Sequence, residues 1–525
     1  MLNDKLLAQA VSQIIQRAER QPDDESLERT YVDAGVLPQL DNLNNQILFG
    51  RRGTGKSHVL RVLGLRRRRD SRDLAAYVDM RMLGSALSAA DPGRPLATRS
   101  VNVFKDLLVA VYDELLDAAT SPDRDASNVG IDRLSEFGDA ITAVARVTQS
   151  RSVSQEHATK ATATDKIRAG LKGLRPEVGA ELGGSESDES RIAQTFTEVF
   201  ENNLVFMDVF RTLERALAAL GVANLYLLLD EWAGVPPELQ PIVAEFLKRG
   251  LMPSTRVTIK VASLEYRSRL SSPLGNNAVV GFEVGGDISA ILDLDDYYVY
   301  DRNPEQVVDA FEELLYRHVD NELPRGHFAA AGIQSSQQFR QRLFSERETF
   351  VELVRASEGV VRDFINIFNA AFFDSKRRGR NNIDVKAVRE AARKWYETDK
   401  SVNLTPEQQE VLNRIITEVI GNKRSRSFLL PRDLSRHPMI QSLFDFRVLH
   451  LMSKGYSDKD NPGVRYNIYN LDYGTYVDLI QTKKEPALTL GLIEDREPEP
   501  ETVVPFDDKR SIRRIVVDRS VLTGS

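Results

Sequence analysis

Gln46-Ile47-Leu48-Phe49-Gly50-Arg51-Arg52-Gly53-Thr54-Gly55-Lys56-Ser57 reads as an apolar strand, a glycine-rich turn and a helix start, and this run decides the fold. Its spacing matches a complete phosphate-binding loop. Glycines let backbone N–H groups wrap a polyphosphate, the lysine reaches the outer phosphates, and the serine hydroxyl suits Mg²⁺. The flanks agree with that reading rather than with a chance turn: an apolar run precedes the loop, and His58, Val59, Leu60, Val62 and Leu63 continue as one half-buried helix. Gly50 to His58 are therefore the first candidate nucleotide contacts, with ATP and Mg²⁺ as the expected cofactors.

Further along, Leu225-Tyr226-Leu227-Leu228-Leu229 is the most hydrophobic segment, and it ends in Asp230-Glu231. A strand this apolar predicts a parallel sheet buried on both faces, whose carboxyl edge is where ligands bind. Two acids delivered there have a division of labour: Asp230 is the candidate metal ligand, and Glu231 the candidate base for the attacking water. By itself a strand followed by Asp-Glu is equally a helix N-cap; the loop at residues 50–57 is what favours the catalytic reading. Trp232 reads as packing. Strands are expected at Leu74 to Val78 and at Val257 to Ala262, the latter ending at Ser263, a candidate γ-phosphate sensor. Arg267 and Arg269 are expected on a following helix, with Arg269 either an arginine finger for a neighbouring subunit or a partner of local acids.

From Asn303 the periodicity becomes helical: Val307 to Val319, Gln337 to Leu343, Arg347 to Ala356, Val360 to Phe373 and Val385 to Trp395. Such a bundle after a nucleotide-binding domain makes a lid. In it, Gly359-Val360-Val361-Arg362 puts Arg362 near a helix start, where it can fold back onto phosphates or pair with a nearby acid. Thr405-Pro406-Glu407-Gln408 is a capping box that opens a last module. There we expect a helix to Ile420, a short segment to Leu434, a helix from Met439 to Lys454, and a hairpin closing on Val464 to Asn470. Helices followed by a hairpin predict a winged helix, a module that docks DNA or protein. Lys423, Arg424, Arg426, Lys454, Lys459 and Arg465 are its candidate phosphate contacts.

The chain has 525 residues, 42% apolar and 28% charged, enough for roughly three domains with ordinary cores. Without cysteine, disulfides and thiolate zinc sites are excluded. A net charge of −7 argues against a general nucleic-acid coat and confines such contacts to local basic clusters. No run approaches the ~18 apolar residues of a membrane span, and a cytoplasmic protein is expected. The weakly patterned stretch from 121 to 190 reads as an insertion, part helical and part mobile.

The order of phosphate loop, Asp-Glu strand, sensor strand, lid and winged helix resembles the AAA+ ATPases of the origin-recognition and replication-initiator clade, over roughly residues 44–482. Asp230-Glu231-Trp232 and Leu471-Asp472-Tyr473-Gly474-Thr475-Tyr476 look more like that clade's bacterial relatives, whose roles extend to mobile elements and antiviral defence. The resemblance implies Walker A at residues 50–57, Walker B at 225–231, a Ser-Arg finger segment at Ser268-Arg269-Leu270 and a sensor-2 segment at 359–362. Ser263 stands where asparagine or threonine is more usual, and the 121–190 insertion is foreign to the pattern. The expected fold class is α/β, with an AAA+ parallel-sheet core over 1–300, a helical lid over 301–400, a winged helix over 401–482 and a tail over 483–525. The expected function is an ATP-driven switch that engages DNA, with slow, partner-stimulated turnover and self-association. The alternative is a defence or signalling scaffold whose winged helix and tail dock an effector protein. Metabolic phosphotransfer lacks any recognisable substrate segment.

Overall fold

Strand β1, Gln46–Phe49, is buried along its whole length and lies inside a parallel sheet. Its companions are β2 (Asp73–Asp79), β3 (Asn224–Asp230), β4 (Val257–Ser263) and, beyond a separate β5–β6 hairpin (Ser271–Gly275, Ala278–Gly281), β7 (Ala290–Asp293). The order is β2-β3-β4-β1-β7. The computed structural model describes residues 1–70, 72–121, 129–144, 204–275, 278–300, 303–422, 425–457, 463–475, 477 and 515–523. Packing divides the chain into two compact units. One holds residues 37–49 and 59–293; the other holds 1–36, 50–58 and 294–525.

In the sheet unit, Leu225 to Leu229 are fully buried, each contributing about 2 kcal/mol relative to exposure. Their continuous burial reflects helix cover on both faces. Phe104, Phe206 and Phe246 pack ring against ring with centroids 5.2–5.7 Å apart, joining the helices Leu96–Thr120, Leu204–Ala219 and Gln240–Gly250. Residues 129–144 are a regular helix whose Leu134, Phe137, Ile141 and Val144 join this core, which places the helical part expected of the 121–190 stretch at its front. One expectation is corrected here. Arg267 ends a single 3-10 turn and Arg269 lies just before β5, because Pro273 and the β-branched pair Val279-Val280 favour a hairpin over a helix. The rest of the insertion, residues 145–190, lies outside the described residues.

In the other unit, the helices Pro304–Glu322, Ser336–Leu343, Arg347–Ala356, Val361–Arg377 and Val385–Trp395 fall where the periodicity placed them. Phe311, Phe344, Phe350, Phe364 and Phe368 form their aromatic centre, with Phe311 and Phe364 4.8 Å apart. The N-terminal residues pack here too: Arg29 pairs with Asp320 at 3.2 Å, and Arg317 donates to the Tyr31 carbonyl at 2.8 Å.

The last module opens on the Thr405–Gln408 capping box and the helix Pro406–Ile416. It then lays down a three-stranded antiparallel sheet in the order β8 (Ser427–Pro431), β10 (Arg465–Leu471), β9 (Leu449–Ser457). The helix expected from Met439 to Lys454 ends at Asp445. Arg447 takes φ of +61°, its N–H bonds the Phe444 carbonyl and the Val448 N–H bonds the Leu443 carbonyl, a Schellman stop that turns the apolar run 448–452 into β9. The tail returns alongside β8: the Leu429 N–H donates to Ile515 at 2.7 Å and the Val517 N–H to Leu429 at 2.9 Å. Between them residues 478–514 lie outside the described residues.

Candidate nucleotide site

The loop Gly50 to Ser57 follows β1 and leads into the helix Lys56–Arg68. Lys56 is buried, its ammonium donating to the Gly50 carbonyl at 2.8 Å and the Arg51 carbonyl at 2.9 Å. Thr54 Oγ1 donates to the same Arg51 carbonyl at 2.9 Å. The lysine thus lies over its own loop, with two loop carbonyls among its acceptors. Gly53 sits at φ +86°, and a Cβ there would lie 2.8 Å from Arg362 Cβ and 3.2 Å from Val360 Cγ1.

Arg362 completes that approach. Its N–H donates to the Gly53 carbonyl at 3.1 Å, and its guanidinium Nε is buried with no hydrogen-bond partner among the described residues. Burial, together with the nearby Arg447 charge, lowers its pKa, which marks a cation short of anionic company. Among the described residues no carboxylate reaches it at ion-pair distance, so an arginine beside the loop's crest retains its charge for another partner. Gly359, at φ +76°, lets this segment pass: a Cβ would stand 2.3 Å from the Tyr298 carbonyl.

The two arginines of the loop diverge. Arg52 is exposed. Arg51 is 3% exposed, with Nε on Asp295 at 3.1 Å, its backbone N–H on the same carboxylate at 2.9 Å, Nη2 on the Glu358 carbonyl at 2.8 Å and Nη1 on His450 Nδ1. Asp295, Glu358 and His450 are functional neighbours the sequence did not announce. His58 turns its ring away from the loop, Nε2 meeting the Leu27 carbonyl at 2.7 Å and the ring standing edge-on to Tyr31 at 5.2 Å. Ser57 is half-buried in the first turn of its helix.

In the sheet unit, Asp230, Ser263, Asp79 and Asp293 all stand at the carboxyl ends of their strands. Asp230 is fully buried, accepting from Tyr77 Oη at 2.6 Å and the Glu231 N–H at 2.8 Å. Burial and that carboxylate hold the Tyr77 phenol firmly protonated. No cation pairs with Asp230 among the described residues, so its oxygen set fits a hard divalent ion. Glu231 adopts φ 54° and ψ 42°, with Arg81 3.6 Å from its carboxylate. Ser263 is buried and shares a 2.6 Å hydrogen bond with Ser268. Trp232 is buried against Phe282 at 6.0 Å. Arg269 is half-buried and donates to Ser272 Oγ at 3.0 Å.

A sequence profile of the ORC-CDC6-like family matches residues 15–348, more than half of the chain. The chain belongs to the ORC-CDC6-like family. Among curated proteins none matches it. Solved structures that resemble this ORC-CDC6-like chain include Cdc6p of Pyrobaculum aerophilum, 11% identical over 88% of this chain and 97% of that one, at a TM-score of 0.30. ORC2 of Aeropyrum pernix in ADPNP–ADP complexes is 10% identical over 88% and 98%, at 0.34. ORC1 of Aeropyrum pernix in complex with DNA is 12% identical over 90% and 96%, at 0.33. No described helix is long and apolar enough to cross a membrane.

The candidate phosphate contacts of the winged helix separate in this ORC-CDC6-like chain. Lys423, Arg424 and Lys459 lie outside the described residues. Arg426 is buried and paired with Glu358 at 3.1 Å, so its charge is spent inside the fold and does not face a phosphate. Lys454 on β9 and Arg465 on β10 are exposed, and Arg465 Nη1 reaches the Gly455 carbonyl at 3.2 Å. Arg432 joins them at the surface, its N–H on the Arg465 carbonyl at 3.0 Å, a neighbour that only strand pairing reveals.

Proposed function

We propose that the chain is an ATP-binding and ATP-hydrolysing switch that engages DNA through its winged-helix module and works as an oligomer. The observation that carries the reading is the loop itself: Lys56 on the loop carbonyls, with Arg362 against Gly53 and its Nε without a hydrogen-bond partner among the described residues. Membership of the ORC-CDC6-like family supports it. In this reading the loop N–H groups and Lys56 bind the polyphosphate, and Arg362 offsets charge that builds on the transferring group. Glu231 orients and deprotonates the attacking water. Ser57 and Asp230 would hold Mg²⁺, which supplies further charge neutralisation at the phosphates. Ser263 supplies a polar contact near the reacting phosphate, and Arg269 acts as a finger from a neighbouring subunit, which makes turnover slow in the isolated chain.

DNA is proposed to meet the exposed cations Lys454, Arg465 and Arg432, with Lys423, Arg424 and Lys459 as further candidates. One observation favours the second reading, an ATPase scaffold that docks a protein effector: the helix Pro438–Asp445, placed where a winged helix reads the major groove, carries no lysine or arginine. Fluorescence anisotropy with labelled duplex DNA, across salt concentrations and with ATP, ADP or neither, separates the two. Nucleotide-dependent binding that weakens steeply with salt, and is lost with Lys56→Ala, is expected for the switch. DNA indifference of a chain that still binds and hydrolyses ATP overturns the first reading in favour of the second.

A further inference from the structure

Arg51 is the end of a buried polar chain that runs through the winged-helix module into the lid. His450, on β9, contacts Arg51 through Nδ1 and Asp472 through Nε2, at 2.9 Å. Asp472 also takes the Lys400 ammonium at 2.5 Å, Lys400 reaches Asp363 at 3.0 Å, and Arg447 joins Asp363 to Asp399. Asp363, Lys400, His450 and Asp472 are at most 1% exposed. Removing one member of so dry a network leaves its neighbour's charge uncompensated.

The partners of His450 fix its proton. Arginine only donates, so Nδ1 accepts; the Asp472 carboxylate only accepts, so Nε2 carries the hydrogen. Burial and the adjoining Arg51 keep the ring neutral, pulling its pKa down to about 3. Arg51 in turn presents the carbonyl on which both Lys56 and Thr54 rest. A residue whose side chain is anchored at three points and whose backbone N–H is held at a fourth cannot swing that carbonyl freely.

We propose that His450 is a positioning residue of the nucleotide site: the winged-helix module, through His450, holds Arg51 and thereby sets the loop carbonyls and Lys56 for polyphosphate. Asp295 holds Arg51 from the opposite side of the guanidinium fork. The inference rests on the nucleotide-binding reading and adds that the C-terminal module is a working part of that site. By linkage, ATP must then stabilise the docking of β9 as much as β9 improves ATP binding.

Two substitutions divide the ring's contacts. His450→Asn keeps an acceptor at the Nδ1 position and loses the contact with Asp472; His450→Gln keeps a donor at the Nε2 position and loses the acceptor for Arg51. ATP is titrated calorimetrically into the full chain, its variants and Arg436→Ala, an exposed control in the same module. We expect His450→Gln to weaken ATP about tenfold, His450→Asn about threefold or less, and Arg436→Ala not at all. In the wild type, ATP is expected to slow hydrogen exchange across residues 449–457. Equal losses in the two histidine variants indicate packing alone and overturn the proposal, as does unchanged affinity in both. The exchange measurement needs no variant: a folded wild type that binds ATP without slowing exchange in β9 also overturns it. A folded wild type that binds no ATP sinks the nucleotide reading first, and this proposal with it.

Discussion

Glu231 and Glu358 share a rare backbone, φ of 54° and 51°, and are put to opposite uses. Each strained residue costs on the order of 1 kcal/mol and persists only where its surroundings insist on it. Glu231 follows Asp230 at the sheet's carboxyl edge with its carboxylate 25% exposed and one half-exposed arginine, Arg81, 3.6 Å away. Glu358 precedes Gly359, its carboxylate 5% exposed on Arg426 and its carbonyl accepting from Arg51. The first acid keeps oxygens available for a reactant; the second is consumed in joining lid, loop and winged helix. On the proposed reading the same local strain serves chemistry in one place and architecture in the other, and side-chain exposure distinguishes them.

The largest effect that tests this contrast is catalytic. Glu231→Gln is expected to lower ATP turnover about a thousandfold while leaving ATP affinity within a factor of about three and the melting curve in place. Retained turnover in a multiple-turnover phosphate-release assay would remove the functional half of the comparison. Next comes stability: Glu358→Ala removes the carboxylate that faces the buried Arg426 and should cost about 3 kcal/mol in urea unfolding, with no such cost for Glu231→Ala. The smallest effect is that of pH on the buried side. Burial lowers His450 to about 3 and, aided by the His58 charge, His318 to about 4. Both lie below the ordinary histidine value near 6.5, so between those limits the unfolded chain binds protons that the native one refuses. Stability is full above about pH 6.5 and falls as pH drops, by about 2 kcal/mol for each histidine between pH 7 and 5. Urea midpoints across that range check it; His318→Gln should flatten part of the slope.

Much of the fold was legible because its signals are local. Glycine spacing placed the loop, one unbroken apolar run placed β3, and 3.6-residue periodicity placed the lid helices within a few residues. The misreadings came where local signals conflict. Leu443 to Met452 is apolar enough for either a helix or a strand, and the choice fell to Arg447, whose left-handed φ nothing in its type announces. In the insertion, read as part helical, the helical spacing of Leu134, Phe137, Ile141 and Val144 went unplaced because the surrounding composition is polar. For the candidate site, sequence patterns offer the loop, the acids of β3 and Arg362 as candidates, whereas the inward turn of Arg51 is written in none of them. Its partners lie 244, 307 and 399 positions away, and no sequence pattern couples such distances.

Gly53 carries a consequence for how this chain can change over time. Its missing side chain is the room in which Arg362 and Val360 stand, so in the proposed site the position answers to two masters, a phosphate and a lid. An alanine there would displace the arginine before it touched any nucleotide. Drift at position 53 is therefore tied to positions 360 and 362: the loop glycine and the lid arginine form one inherited unit, and a descendant that loses either is expected to lose the other.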